Sequence, residues 1–395
     1  MQIDWIIAGA GFTGATLAER IATACNERVL VVERRPHIAG NAYDLPDSDG
    51  LLRHRHGPHI FHTQSEKVWR YLQRFSAWRP YFHRVRAVVD GRQIPVPFNL
   101  DSIEALFPRA LAERYQAALL ARFRFGERVP ILKLMSEAEG ELAEFARFVY
   151  EKVFRNYTFK QWGLAPEELS PSVTARVPIV VSRDDRYFQD RWQAMPAEGY
   201  TALIDRMLDH PNIKVMLRTD FREVRPLFPD ARVIYTGAID DYFGHRFGTL
   251  PYRSLRFEWQ PLTAEQHQEV ATINYPQEYD FTRITEMKHL TGQTGARTAL
   301  LAEYPQVYQP GVNEPYYPIP REENQTLYAR YQALAREEED VIFCGRLGDY
   351  KYYNMDQAVG AALSVFEKRI NKTNRRKLHR VRQIEFTAGV STQTG

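Results

Sequence analysis

A glycine-spaced turn that begins at Gly9 constrains the fold more than any other feature of the chain. Residues 3–8 are apolar but for Asp4 and read as a buried strand, and Gly9, Gly11 and Gly14 follow in the order G-x-G-x-x-G, with Ala10 and Thr13 inside the same turn. Ala15, Leu17, Ala18 and Ile21 then recur at helical spacing, and a second apolar strand over residues 29–32 ends in Glu33. Strand, glycine turn, helix, strand and acid make a complete dinucleotide-binding unit. Gly9 allows the tight turn, Gly11 lets the backbone approach a pyrophosphate, Gly14 lets helix and sheet pack closely, and the helix N-terminus stabilises the anion. A carboxylate at Glu33 suits a ribose hydroxyl and disfavours a 2′-phosphate, which leaves FAD or NAD and argues against NADP.

Gly40 and Asn41 follow the acid closely, and this second backbone approach resembles the extended fingerprint of FAD enzymes of the glutathione-reductase type. Near the other end, residues 341–344 form a short apolar strand that runs into Gly345, Arg346, Leu347, Gly348 and Asp349 and then a helical segment over 355–366. In FAD folds a late strand, turn and helix of this kind returns to the flavin, where Arg346 offers a fork of donors. Residues 233–237 read as a further strand-to-glycine turn meeting the nucleotide. The nucleotide unit is therefore expected over 1–76, 205–246 and 320–395, interrupted by two insertions.

Residues 84–98 alternate and carry Pro95 and Pro97, which suits strands near a sheet edge. From 101 to about 160 the pattern turns helical, with Leu142, Phe145, Ala146, Val149 and Val153 on one face. Residues 201–209 read as a helix, and strand-like alternation returns from Arg253 to Phe257. The chain has 395 residues, a net charge of +3 and only Cys25 and Cys344. This allows two or three domains, fits an anionic small substrate better than nucleic acid, and gives no disulfide framework. The longest apolar runs are too short to span a bilayer, and the first residues lack the pattern of a signal peptide, so a cytoplasmic location is expected.

Two histidines in Gly57, Pro58, His59, Ile60, Phe61, His62 and Thr63 lack the further ligands of a closed metal site, and no metal is expected. Aromatic residues cluster with cations in 154–162 (Phe154, Arg155, Tyr157, Phe159, Lys160, Trp162) and in 185–188 (Arg186, Tyr187, Phe188). Flat rings beside cations suit a nucleobase or sugar face next to phosphates.

These segments, together with 97–100, 176–179, 199–201, 315–319 and 345–356, resemble the bacterial UDP-galactopyranose mutase family over nearly the whole chain and in one order. The resemblance implies an α/β fold: a Rossmann-like FAD-binding domain, an inserted helical bundle (98–168) and a six-stranded antiparallel sheet domain (77–97, 169–204 and 247–319) with a mobile loop near 169–182. It implies a homodimer, and reduced FAD whose N5 attacks the anomeric carbon as UDP leaves. The sugar then opens through a flavin iminium and recloses as the furanose.

By the same resemblance Arg176 and Arg283 bind the diphosphate, Arg176 from the closing loop. Tyr187, Tyr317 and Tyr352 contact phosphates, Phe154 and Tyr157 the uracil, and Trp162 the substrate wall. Phe188, Asn99 and Arg253 are further substrate positions, and His62 lies close to the isoalloxazine. Arg34, His59, Ile60, Met355 and Asp356 join the glycine turn, Glu33, Gly40, Asn41 and Arg346 around FAD. Asn354 stands where other bacterial members carry Asp, so no acid role is expected there. The competing classes are an FAD oxidoreductase of the amine-oxidase or desaturase type, which would consume an electron acceptor, and a protein that holds FAD or a nucleotide sugar without turnover. The two arginines and the Tyr/Trp runs favour the mutase over both.

Overall fold

The computed structural model describes residues 2–371. The part of the expected nucleotide unit beyond 371 lies outside the described residues. Five parallel strands form the central sheet, in the order Ile213–Leu217, Val29–Glu33, Trp5–Ala8, Arg232–Tyr235 and Val341–Phe343. Every residue of Trp5–Ala8 and Val29–Glu33 is buried, as strands covered on both faces require. Helix Phe12–Cys25 lies over this sheet and packs against Tyr200–Leu208 and Met355–Val365. Tyr200–Leu208 straddles the boundary expected at 205, and its apolar face joins the nucleotide core through Leu203, Ile204 and Met207.

The helical insertion comprises Leu100–Leu106, Arg109–Arg122, Ile131–Glu137, Gly140–Val149 and Asn156–Trp162. The stripe of Leu142, Phe145, Ala146, Val149 and Val153 is buried in a second core, as its spacing predicts.

The large sheet has seven strands, ordered Tyr317–Pro318, Tyr252–Leu262, Thr298–Val307, Arg283–Glu286, Thr272–Asn274, Val85–Val89 and Arg92–Val96. It differs from the expected six antiparallel strands in two ways. The short Tyr317–Pro318 strand adds an edge, and Thr272–Asn274 runs parallel to Val85–Val89. A parallel neighbour needs a long crossover, and the chain between these two strands, which includes the helical insertion, supplies one. Arg92–Val96, with its proline, is the opposite edge strand.

Register across this sheet aligns Ala87, Asn274, Arg283, Glu303 and Phe257 in one row. That row sets Asn274, Arg283 and Glu303 side by side on three successive strands. A small sheet of Phe61–Thr63, Trp192–Pro196 and Trp78–Pro80 sets His62 opposite Gln193.

Candidate active site

A cleft runs from the glycine turn to the large sheet in three connected spaces. The first, a cavity of 440 Å³, is lined by Gly9, Gly11, Thr13, Gly14, Glu33, Arg34 and Gly40, among others. Gly9 has φ +107°, and a Cβ on Gly14 would lie 1.9 Å from the Gly9 carbonyl oxygen, so helix and turn meet without room for a side chain. Gly11 and Gly40 approach so closely that a Cβ on Gly40 would lie 3.0 Å from the Gly11 Cα. Ala10 contributes only its backbone: its N–H donates to Glu33 Oε2 at 3.0 Å. The other Glu33 oxygen accepts from Arg35 N at 3.0 Å, so this buried carboxylate braces its own loop as well as facing the cavity. Arg34 Nη2 donates to Glu314 Oε2 at 2.9 Å, on the rim.

Asn41, His59, Arg346 and Met355 line both this cavity and the second one, and mark the junction. Burial holds His59 neutral, with its pKa lowered to about 3. Arg346 donates to Tyr353 O at 2.7 Å and lies 5.7 Å from the Tyr317 ring centre. Ile60 lines the second space. Asp356 is off the lining: it sits in the first turn of Met355–Val365 and accepts from Thr63 Oγ1 at 2.9 Å.

In the second space, also 440 Å³, the His62 ring stacks on Phe188 with centroids 3.6 Å apart, and its Nδ1 is 2.9 Å from Asp190 Oδ2. Arg283 Nε and Nη2 donate to the two oxygens of Glu303 at 2.6 and 2.8 Å. Burial works against the guanidinium charge, but Glu303 overcomes it and keeps Arg283 protonated well above its ordinary range. Arg283 lines both the second and the third space, and a guanidinium carries further N–H donors beyond the two that Glu303 takes.

Arg176 Nη2 donates to Asn354 Oδ1 at 2.6 Å, and its guanidinium carbon stands 3.9 Å from the Tyr352 ring centre. Asn354 N in turn donates to Gln357 Oε1 at 2.9 Å at the start of the helix.

Phe154, Tyr157 and Trp162 wall the third space and share it with Arg176, Arg283, Tyr187, Tyr317 and Tyr352. Tyr317 and Tyr352 meet edge to face at 4.8 Å. Burial pushes the phenols of Tyr157, Tyr187 and Tyr317 up, so they are neutral hydrogen-bond donors at physiological pH.

Two expected substrate positions stand apart from these linings. Asn99 is 1% exposed and accepts from Ser102 N at 3.0 Å, capping Leu100–Leu106. Arg253 is buried, donating to Gln161 O at 3.0 Å and Lys160 O at 3.2 Å, which ties the end of Asn156–Trp162 to the sheet. The cations expected beside the aromatic rings also turn away: Arg155 pairs with Glu151, Arg186 with Asp184, and Lys160 grips backbone carbonyls.

Conversely, Asn274, His83, Glu303 and Asp190 line the second space without having been anticipated. Asn274 Oδ1 is buried with no partner among the described residues. His83 is held neutral by burial, with its pKa lowered to about 3, and its Nδ1 lies 3.1 Å from the Tyr81 hydroxyl. No clean alternation marks these strands in the sequence, since Glu286 breaks the pattern of Arg283, Ile284 and Thr285; the row forms by strand register.

Residues 152–352 match the family model for UDP-galactopyranose mutase, and residues 7–75 match that for an NAD(P)-binding Rossmann-like domain. A probable UDP-galactopyranose mutase of Klebsiella pneumoniae is 35% identical over 368 residues, covering 92% of this chain and 94% of that protein. A dTDP-fucopyranose mutase of Escherichia coli is 33% identical, with 91% and 96% covered. The crystal structure of a reduced UDP-galactopyranose mutase superposes with a TM-score of 0.69 at 16% identity, over 94% of this chain and 97% of that one. Identity at this level over nearly the full length, with the family model spanning half the chain, establishes an enzyme of the UDP-galactopyranose mutase family.

Proposed function

We propose that the chain interconverts UDP-galactopyranose and UDP-galactofuranose with bound FAD in its reduced form and no net oxidation. One observation carries this reading. Arg176, Arg283, Tyr187, Tyr317 and Tyr352 converge on a space that opens toward the dinucleotide cavity on one side and toward Phe154, Tyr157 and Trp162 on the other. The glycine turn, with its close approach to Gly40, fits a dinucleotide pyrophosphate.

When bound and reduced, FAD supplies a nucleophilic nitrogen for the anomeric carbon of the sugar. The protein binds and orients. Arg283, braced by Glu303, and Arg176 stabilise the charge that UDP acquires as it departs. The neutral phenols donate to the phosphates, and the aromatic wall holds the base. Arg176 leaves Asn354 for the diphosphate and excludes water. His62, fixed by Asp190 and Phe188, orients groups on the cofactor side.

The test is anaerobic incubation of protein, dithionite and UDP-galactofuranose, with chromatography of the products. Appearance of UDP-galactopyranose is expected, and its absence with FAD bound defeats the reading.

A second substrate has its own support in the dTDP-fucopyranose mutase relative. Parallel assays with dTDP-fucofuranose decide between them, and higher kcat/KM for that sugar would replace the first. A homodimer and a cytoplasmic location complete the proposal; light scattering and cell fractionation test them.

A further inference from the structure

The segment that carries the aromatic wall is not a regular helix. Gly140–Val149 is α-helical, Tyr150–Arg155 widens to a π turn, and Asn156–Trp162 returns to α. Phe154 lies in the wide turn, and Tyr157 and Trp162 follow it. One extra residue rotates everything after it by about 100° relative to an uninterrupted helix. The turn therefore decides which side chains face the cleft. Returning from i+5 to i+4 bonding also leaves one more backbone carbonyl than amide donors at the junction.

The opposite wall supplies donors at that junction. Strands Thr272–Asn274 and Arg283–Glu286 pair as a hairpin, whose loop is closed by Tyr275 N donating to Thr282 O at 2.9 Å. From this loop Gln277 Nε2 donates to the carbonyls of Glu151 and Lys152, each at 2.8 Å. In the other direction Asn156 Nδ2 donates to Pro276 O at 2.6 Å, and Lys160 Nζ donates to Tyr275 O and Glu278 O, each at 2.8 Å. The loop starts just after Asn274 and ends just before Arg283, and both of these line the cleft.

We infer that Gln277, Asn156 and Lys160 are positioning residues that fix the distance between the aromatic wall and Arg283 to the length of a nucleoside diphosphate. This rests on the nucleotide-sugar reading above. The physical ground is that the insertion shares its core with the edge strands Val85–Val89 and Arg92–Val96, whereas the hairpin that carries Arg283 meets the aromatic wall through the bonds of its loop. Arg253 ties the far end of the wall to the sheet, and these loop bonds add a second tie at the turn that sets the wall's rotation. A ligand that spans both walls senses the separation, because a small misplacement breaks one end's contacts. A ligand that touches one wall does not.

The experiment uses the full-length holoenzyme and three probes: UDP, which spans both walls, uridine, which meets the aromatic wall, and pyrophosphate, which meets the arginines. Binding is measured for the wild type, Gln277→Leu, Lys160→Met and the double variant. Both side chains lie at or near the surface, and Lys160→Met keeps the proposal testable if Gln277→Leu misfolds. UDP affinity is expected to fall about threefold in each single variant and about tenfold in the double, as for loss of ordinary hydrogen bonds. Uridine and pyrophosphate affinities, and FAD content, stay within twofold. Unchanged UDP affinity in the double variant overturns the inference. So does an equal loss for uridine, which would mean that the contacts only hold the wall together. A wild-type enzyme that binds no UDP defeats the nucleotide-sugar reading itself, a separate result from either.

Discussion

Arg176 and Arg283 reach one space under opposite conditions, and the contrast predicts how their variants divide. Arg283 is tied through two hydrogen bonds to Glu303, a carboxylate that is 1% exposed. Arg283→Ala strands that charge, at a cost of about 3–5 kcal/mol in folding stability. Turnover and the urea midpoint are expected to fall together. Arg176 is exposed, and its guanidinium meets Asn354 and Tyr352. Arg176→Ala is expected to lower turnover strongly with the urea midpoint and FAD content unchanged, and Arg176→Lys to restore part, because an ammonium lacks the planar fork. Equal losses of stability in the two alanine variants would contradict this division. A pH effect follows from the buried histidines. Burial lowers His54 to about 4 and His56, His59 and His83 to about 3. An unfolded histidine titrates near 6.5. Between these values the unfolded chain binds more protons than the folded one, so stability is full above about pH 6.5 and is lost as the pH falls toward 4. Unfolding at pH 5.5 should take up protons, and a urea midpoint that is flat from pH 7.5 to 5 would rule this out.

The helix Phe12–Cys25 shows why some elements are legible in a sequence and others are not. Its glycine spacing is a local rule: Gly14 faces the Gly9 carbonyl because the turn between them is short. The same holds for the stripe from Leu142 to Val153, where one helix face defines a core. Gly14→Ala therefore has a direct expectation. Its Cβ would sit 1.9 Å from backbone oxygen, which no rotamer relieves. The helix must move off the strand at a cost on the order of 3 kcal/mol. The variant should purify with little FAD and a lowered melting temperature; normal FAD content would show that the helix is not held this closely. The row Asn274, Arg283 and Glu303 is different. It arises from the register of three successive strands, which no periodicity within any one of them encodes. The parallel joint between Thr272–Asn274 and Val85–Val89 is a consequence of long-range closure. Asn99 and Arg253 stand off the linings, the first bonded at a helix cap and the second at a helix end, contacts that no sequence pattern signals.

The whole molecule joins two binding problems in one cleft. The parallel sheet and its glycine turn present backbone to a dinucleotide, while the large sheet and the helical insertion present arginines, phenols and an aromatic wall to a second ligand. Asn41, His59, Arg346 and Met355 line both spaces, so on the proposed reading the two ligands meet there. This division separates a redox-neutral isomerase from an oxidoreductase built on the same cofactor unit. In an oxidoreductase, electrons leave with every turnover, and acceptor consumption matches product. On the proposed reading the second ligand's space takes a departing diphosphate, whose charge Arg176 and Arg283 neutralise. The electrons placed on the cofactor should therefore remain there. A single reduction with dithionite, followed by removal of the excess, should support many turnovers per bound FAD while oxygen is absent. Admitting oxygen should stop the reaction, and a second addition of dithionite should restart it with no loss of sites. The count of turnovers per reducing equivalent is the decisive measurement. A value far above one fits a cofactor that is needed but not consumed, whereas a value of one, or full activity with oxidised FAD, would return the chain to the oxidoreductase class.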